Sequence, residues 1–131
     1  MSEATGDARG IGRSILREVM GDTYFERREA ATNSFNAPVR AFSERCCFGE
    51  IWSRPGLDRR TRSLLCLGML TALNRPHEVR MHVAGAINNG CTVDEIQEVL
   101  LQTAAYCGLP ACIDSMRIAE DVLSERGLIG D

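Results

Sequence analysis

Apolar residues along this chain recur at helical spacing, and no stretch alternates between apolar and polar positions as a half-buried strand would. Aromatic residues, which favour strands, make up only 5% of the chain. The pattern predicts an all-α chain of six to seven helices. They are expected over about 8–20, 22–33 and 38–48, after Asp58, over about 76–89, after Thr92 and over about 110–126, with residues 1–7 frayed.

Short polar residues and glycines mark where these helices begin and end. Asp22 and Asp58 are expected to cap the second and fourth helices, because an Asp side chain accepts hydrogen bonds from free backbone N–H groups. Thr92 and Glu95 have the spacing of a capping box at the start of the sixth helix. Gly90 follows the fifth helix, at a position where a left-handed backbone is common.

The body of the fourth helix, residues 64–73, is apolar on nearly every face. A helix on the surface of a monomer has a polar face, so this one is expected at the centre of the subunit or at a subunit interface. Since one chain of this size can hardly cover such a helix alone, the pattern favours an oligomer.

Length and composition narrow the class of protein. The chain has 131 residues, 44% hydrophobic and 25% charged, which is typical of a single folded domain over 1–131. The net charge of −3 disfavours nucleic acid as a partner. No apolar run approaches the roughly 20 residues that span a bilayer, so no membrane segment is expected. The first seven residues are polar and acidic, unlike a signal peptide, and a cytoplasmic location is expected.

The basic and cysteine residues exclude several chemistries. All 15 basic residues are arginine. Without a lysine amine, Schiff-base catalysis and a Walker-type P-loop are excluded. The six cysteines include no Cys-x-x-Cys pair, and no cysteine or histidine pair has zinc-site spacing, so no metal site is predicted. The cysteines are expected to be reduced, mostly as small core residues.

Glu78 and His82 lie four residues apart on the fifth helix and therefore share a face, which Asn89 and Gly85 continue. The apolar face beside it is expected to consist of Val79, Val83, Ala86 and Ile87. A neighbouring carboxylate raises the pKa of an imidazole and orients it, which suits general acid–base chemistry near neutral pH. The alternative is an ordinary surface pair worth a few tenths of a kcal/mol. His77 cannot join His82 in a metal site, because on one helix the two point about 140° apart.

Arg59, Arg60 and Arg62 lie in the first turn of the fourth helix, where each positive charge opposes the helix dipole by about 0.3–1 kcal/mol. Two arrangements would offset this cost. One is ion pairing with nearby acidic residues, and the other is an anion held by the guanidinium groups and the free N–H groups. Arg62, next to the apolar run, is expected to point inward. Trp52, the only tryptophan, is expected to pack rather than to bind.

Five short segments stand in order between residues 49 and 111, and the likeness that they carry is collinear over about residues 21–125, which is most of the chain. They include Gly49-Glu50-Ile51-Trp52, Arg60-Thr61-Arg62, Glu78-Val79-Arg80-Met81-His82, Asn88-Asn89-Gly90 and Gly108-Leu109-Pro110. Together and in this order they resemble the 4-carboxymuconolactone decarboxylases.

The resemblance implies an all-helical subunit with the alkylhydroperoxidase D-like fold, assembled as a homotrimer or homohexamer. The family reaction belongs to the protocatechuate branch of the β-ketoadipate pathway. It converts γ-carboxymuconolactone, a small carboxylate lactone, to β-ketoadipate enol-lactone and CO2 without a cofactor. Carried over by motif position, the candidate catalytic residues are Arg62, Glu78 and His82. The candidate substrate contacts are Arg59 and Arg60, next to Arg62 at the helix start, together with Trp52 and Cys46.

Two stretches depart from the family pattern. Cys46-Cys47-Phe48 stands where His or Tyr, then Ala and Trp, are common, so that Cys46 either fills space or contacts the substrate. Cys112-Ile113 replaces a small residue and Asn. Both departures bear on the substrate more than on the fold.

Three other functions therefore stay open. The main alternative is a decarboxylase, isomerase or hydrolase that acts on another lactone or enolate-forming acid. A thiol peroxidase of the alkylhydroperoxidase D type is disfavoured, because that activity needs a Cys-x-x-Cys pair and the segment around Met81 and His82 has no cysteine. A non-catalytic helical oligomer is supported only by the altered stretch at residues 46–48.

Overall fold

The computed structural model describes residues 2–130, and their side chains from residue 7 onward. These residues form helices and connecting turns without any strand, which confirms the predicted all-α class. The chain divides into two compact units, Met1–Asp58 and Arg59–Asp131. The expectation of one domain over residues 1–131 stays a prediction.

The described part of the first unit contains three α-helices and one π-helix, and that of the second contains four α-helices. None of these helices is long and apolar enough to cross a membrane. In chain order they are α1 (Ser2–Met20), α2 (Asp22–Ala30), α3 (Ala37–Phe42), the π-helix (Ser43–Trp52), α4 (Arg59–Ala72), α5 (Pro76–Asn88), α6 (Val93–Tyr106) and α7 (Leu109–Glu125).

The first two helices begin at residues other than those predicted. Helix α1 begins at Ser2 rather than near residue 8. Met1 lies outside the described residues, and the expected fraying of residues 1–7 stays a prediction. Asp22 is the first residue inside α2 rather than its cap, because Gly21, with a φ of 91°, occupies the cap position. A positive φ of this size favours glycine over aspartate.

Helix α2 ends at Ala30, three residues before the predicted end. The reason is a local turn built by Asn33. Its side-chain oxygen accepts hydrogen bonds from the backbone N–H groups of Phe35 at 2.9 Å and of Asn36 at 3.0 Å. The Asn33 backbone N–H in turn donates to the Asn36 side-chain oxygen at 2.9 Å. The donor that a longer α2 would direct to the Glu29 carbonyl is thus used within the turn.

The α-helix predicted over 38–48 is wrong in its winding and its end. The structure has the short helix α3, which passes without a break into the ten-residue π-helix. A π-helix has wider turns, with hydrogen bonds from residue i to residue i+5. Hydrophobic spacing predicts that a segment is helical but does not distinguish such wide turns from α-helical ones.

Helix α1 packs against the π-helix with backbone close to backbone. A Cβ atom on Gly12 would overlap the backbone carbonyl of Glu44. A Cβ atom on Gly49 would likewise overlap the carbonyl of Ala8. Only glycine, which lacks a Cβ atom, permits so close an approach at these two positions.

Glu44, on the π-helix, is a carboxylate with 1% of its surface exposed. Its Oε1 atom accepts a hydrogen bond from Arg9 Nε at 2.8 Å. Its Oε2 atom accepts from Arg13 at 3.0 Å and from Arg28 at 2.7 Å. Burial by itself raises the pKa of Glu44, but the hydrogen bonds from Arg28 and Arg9 and the charges of Arg13 and Arg28 together outweigh burial and hold it below the ordinary value. This network ties α1, α2 and the π-helix together.

In the second unit, α4, α5, α6 and α7 surround one apolar core. Leu67 is a fully buried apolar residue of α4, and the predicted apolar face of α5 is confirmed by the burial of Val79, Val83 and Ala86. The core is completed by Ile96 and Leu100 on α6, by Ala119, Val122 and Leu123 on α7, and by Cys91.

The predicted boundaries of the second unit are close to those observed. Helix α4 begins directly after Asp58. Gly90, with a φ of 92°, follows the end of α5. The capping box at the start of α6 is present, with the Thr92 hydroxyl accepting from the Glu95 backbone N–H and the Glu95 carboxylate accepting from the Thr92 N–H.

Helix α4 is central on one face only. Ser63, Leu67 and Thr71 are buried, whereas Leu65 and Met69 are about half exposed, at 48% and 54%. Of the two predicted positions, the centre of the subunit therefore accounts for one face of α4. The second, a subunit interface, stays a prediction for the other face.

We expect Gly12→Ala and Gly10→Ala to have opposite effects on stability. At Gly12 the new methyl group overlaps the Glu44 carbonyl, so the free energy of unfolding should fall by about 3 kcal/mol or more. At Gly10 nothing lies within 4 Å of the new group, and helix propensity should raise stability by up to about 1 kcal/mol. Urea unfolding followed by circular dichroism measures both. Equal stability of the two variants would contradict this close helix contact.

Candidate active site

The candidate residues of the first unit, Trp52 and Cys46, both lie on the π-helix. Trp52 is 5% exposed and stacks on Phe48, with ring centroids 5.9 Å apart. This stacking agrees with the expectation that Trp52 packs rather than binds. Cys46 is half-buried, and its neighbour Cys47 is exposed at the surface yet has a thiol pKa raised by burial of the sulfur. A contact of Trp52 or Cys46 with substrate stays a prediction.

In the second unit, α5 positions the candidate acid–base pair. Pro76 lies in its first turn, where a fixed φ and a missing N–H suit a helix start. Glu78 and His82 follow on one face of the helix, and both are partly buried. The buried residues Val79 and Val83 hold the adjacent face of α5 against the core. The imidazole is thus placed by a helix that cannot rotate without exposing that core.

The prediction that Glu78 raises the pKa of His82 above its ordinary value is wrong in its net result. Burial of the imidazole lowers the pKa of His82, and the negative charge of Glu78 offsets only part of that shift. His82 is therefore neutral at pH 7. A neutral imidazole has one N–H donor and one acceptor nitrogen, so it can donate a hydrogen bond to a developing oxyanion.

The first turn of α4 carries the three candidate arginines, all partly buried. The Nε atom of Arg62 is shielded from solvent, in agreement with its expected inward direction. Arg60 forms an ion pair with Glu95 of α6. Ion pairing is the first of the two arrangements that would offset the helix dipole, and the structure contains it at Arg60. Anion binding by Arg59 and Arg62 stays a prediction.

Asn89, just after α5, reaches the same turn. Its side-chain amide donates a hydrogen bond to the Ser63 hydroxyl at 2.9 Å, and Ser63 is only 1% exposed. The Cys91 thiol donates to the backbone carbonyl of Arg60 at 3.4 Å. Sequence reasoning placed Asn89 on the face of Glu78 and His82 but did not find its partner on α4. The spacing of residues within one helix carries no signal of such a contact.

Arg62 and His82 lie at different heights along the axes of the paired helices α4 and α5. Helices α4 and α5 are joined by residues 73–75, and Ser63 and Asn89 meet near their far ends, so the two helices are antiparallel. His82 precedes Asn89 by seven residues, which is about 10 Å along a helix axis. A substrate that touches both Arg62 and His82 of one chain therefore lies lengthwise along α4 and α5.

Two further observations concern metals and the altered stretch of α7. Among residues 7–130, whose side chains the structure describes, no three His, Cys, Asp or Glu side chains form a group that could hold a metal ion. Cys112 is buried, at 4% exposure, and Ile113 is 39% exposed. Cys112 is thus a small core residue, and Cys91 is another. The expectation that most of the cysteines are core residues is wrong, because two of the six are partly buried and two are exposed.

The pKa of His82 can be tested directly by NMR. In a His77→Asn variant, His82 is the only histidine, and its ring protons should titrate below the ordinary midpoint near pH 6.5. Adding Glu78→Gln removes the charge that favours the imidazolium form, so the midpoint should fall further. Glu98→Gln, on the exposed face of α6, is the matched control and should leave the midpoint unchanged. A rise on Glu78→Gln would contradict the electrostatic contact.

Comparison with known proteins bears on the same segments. The profile of the carboxymuconolactone decarboxylase family matches residues 37–121, which include Arg62, Glu78 and His82. A 4-carboxymuconolactone decarboxylase of Acinetobacter baylyi is 42% identical over 117 residues, covering 89% of this chain and 87% of that protein. A nitrosuccinic acid decarboxylase of Metarhizium robertsii is 37% identical over 114 residues, covering 87% of this chain and 80% of that protein.

An uncharacterised 15.0 kDa protein of Paracoccus denitrificans is 41% identical over 82 residues, which is 60% of each chain. The family profile spans more than half of this chain, and two relatives above 30% identity match most of it. The resemblance found in the five sequence segments is thereby confirmed. The chain belongs to the carboxymuconolactone decarboxylase family.

Proposed function

We propose that this protein is a carboxy-lyase that removes CO2 from a small carboxylic acid whose own structure takes up the released electron pair. The substrate that we propose first is 4-carboxymuconolactone, converted to β-ketoadipate enol-lactone in protocatechuate catabolism. The observation that carries the proposal is the partly buried Glu78–His82 pair on α5. It occurs in a chain 42% identical to a 4-carboxymuconolactone decarboxylase over 89% of its length.

The chemistry of this substrate determines what the protein has to supply. Loss of CO2 breaks a bond to a ring carbon, and the electron pair of that bond stays on the ring. The pair moves through the ring alkene to the lactone carbonyl, so the negative charge of the dienolate lies largely on that oxygen. A proton supplied by solvent water is then added to a ring carbon, which completes the enol-lactone. The protein must hold the carboxylates and stabilise the oxygen anion.

His82 is the group that we assign to the developing oxygen anion. Because burial keeps its imidazole neutral at pH 7, a hydrogen bond from its N–H fits the state of this residue better than proton delivery from an imidazolium. Glu78 is assigned to orienting the ring, while its charge offsets only part of the effect of burial on the pKa of His82. The hydrogen bond strengthens as charge develops, which is what lowers the barrier.

Arg62, with Arg59 assisting, is the group that we assign to substrate carboxylate binding. A guanidinium group binds a carboxylate with two parallel hydrogen bonds, and the first turn of α4 adds its free N–H groups and dipole. Burial of the Arg62 Nε atom strengthens such contacts because water screens them less. Arg60, paired with Glu95, is assigned to holding the turn rather than to the substrate.

A second candidate substrate is nitrosuccinic acid, favoured by the relative that is 37% identical over 87% of this chain. Loss of CO2 from the carbon that carries the nitro group leaves a nitronate, in which the nitro oxygens hold the charge. In this reaction too, Arg62 is assigned to carboxylate binding and His82 to the hydrogen bond that stabilises the negative charge. The departures at Cys46-Cys47-Phe48 are a further reason to test both acids.

We expect the purified protein to release CO2 from 4-carboxymuconolactone, with no loss of activity in a chelator. His82→Ala removes the donor to the oxygen anion and should lower the rate about 100- to 1000-fold. His77→Ala, which changes an exposed histidine on the same helix, is the matched control and should retain activity. CO2 release is measured with 4-carboxymuconolactone and with nitrosuccinic acid, and the acid with the higher kcat/KM is identified as the substrate.

Two results would overturn the proposal. One is the absence of CO2 release from either acid by a well-folded protein. The other is equal activity of His82→Ala and His77→Ala, which would remove His82 from the reaction whatever the substrate.

We expect Arg62→Gln to raise KM about 10- to 100-fold, with a smaller change in kcat. Hydrogen bonds to a charged group contribute about 1.5–3 kcal/mol, and a carboxylate remote from the reacting bond is bound equally in the ground and transition states. Arg117→Gln, on the exposed surface of α7, is the control. An unchanged KM in Arg62→Gln would place the carboxylate elsewhere.

A further inference from the structure

The corner between α5 and α6 contacts the first turn of α4 at three points. Asn89 donates a hydrogen bond to the Ser63 hydroxyl, and the Cys91 thiol donates to the Arg60 carbonyl. Glu95 forms an ion pair with the Arg60 guanidinium. The three contacting residues fall within seven positions of one another, and together they hold both the backbone and a side chain of the turn.

The corner itself is held in shape by its own backbone. Gly90 has a φ of 92°, which reverses the chain after α5. The Cys91 N–H then donates to the Ala86 carbonyl at 2.9 Å and closes the end of that helix. The corner is therefore a defined structure, against which the turn of α4 can be placed.

Glu95 joins two elements through its two carboxylate oxygens. Its Oε1 atom accepts the Thr92 backbone N–H at 2.9 Å, as the second half of the capping box of α6. Its Oε2 atom faces the Arg60 guanidinium. A capping box needs only one of these oxygens, so the contact with Arg60 is additional to the cap.

We propose that Asn89 and Glu95 are positioning residues for substrate binding: they fasten the first turn of α4 and so set the place of the Arg62 guanidinium. This inference rests on the proposed function, in which Arg62 binds a substrate carboxylate. Three arginines in a first turn oppose the helix dipole and favour fraying of that turn. Ser63 directly follows Arg62, so its hydrogen bond to Asn89 holds the adjacent backbone in the helix.

The test compares Asn89→Ala with Ser115→Ala. Ser115, on α7, shares a 2.8 Å hydrogen bond with the Thr71 hydroxyl near the other end of α4. Each variant leaves a buried hydroxyl of α4 without its present partner, so a purely structural loss should be similar in both. We expect Asn89→Ala to raise KM about 3- to 10-fold with kcat little changed, the size of one lost hydrogen bond. Ser115→Ala should leave KM unchanged.

A second pair tests Glu95. Glu95→Gln keeps an oxygen for the capping box but removes the charge that faces Arg60, so KM should rise about 2- to 3-fold, as for a partly exposed ion pair. Glu98→Gln removes the same charge from an exposed position of α6 and should have no effect. Equal KM values for Asn89→Ala and Ser115→Ala, or for Glu95→Gln and Glu98→Gln, would overturn the assignment of that residue.

A readout that needs no turnover separates this inference from the proposed function. Amide hydrogen exchange at residues 59–65 should be faster in Asn89→Ala than in Ser115→Ala, because only the former releases the first turn of α4. If the wild-type protein releases CO2 from neither acid, the proposed function fails and the exchange comparison decides alone. Faster exchange in Asn89→Ala then supports the fastening of the turn, and equal exchange overturns it.

Discussion

The second unit is organised by two buried hydroxyl groups on α4 that must find hydrogen-bond partners. Ser63 and Thr71 lie one helical turn to either side of Leu67, on the face of α4 that enters the core. Burying a hydroxyl without a partner is costly, so each is matched by a side chain from another part of the unit. Asn89 supplies one partner and Ser115 the other. These two bonds determine how α4 aligns with α5 and α7, a choice that apolar contact leaves loose.

The alignment of α4 and α5 determines the environment of the candidate acid–base pair. His82 is held by a helix whose other face is locked in the core, so its imidazole is partly removed from water. Burial and the charge of Glu78 act on the imidazole in opposite directions, and burial is the larger effect. For the proposed reaction, which puts negative charge on the substrate, a neutral hydrogen-bond donor is the useful state.

The first unit depends on a different kind of constraint. Its helices approach so closely at Gly12 and Gly49 that no side chain fits between them, and the buried carboxylate of Glu44 is satisfied by three arginines. Such a network is strained by removal of any one partner, because a charge then stays buried alone. The absence of lysine matters here, since a guanidinium group offers several N–H donors in a plane and can serve two carboxylates at once.

The sequence by itself determined the helical class, the capping box at Thr92, the apolar face of α5 and the shared face of Glu78 and His82. Each of these follows from spacing within one helix, which a linear pattern records. Only the tertiary structure decided the π-helical winding, the Asn89–Ser63 and Glu95–Arg60 contacts, and the direction in which the pKa of His82 is shifted. These depend on groups far apart in the chain and on how much water remains between them, and no local spacing encodes either.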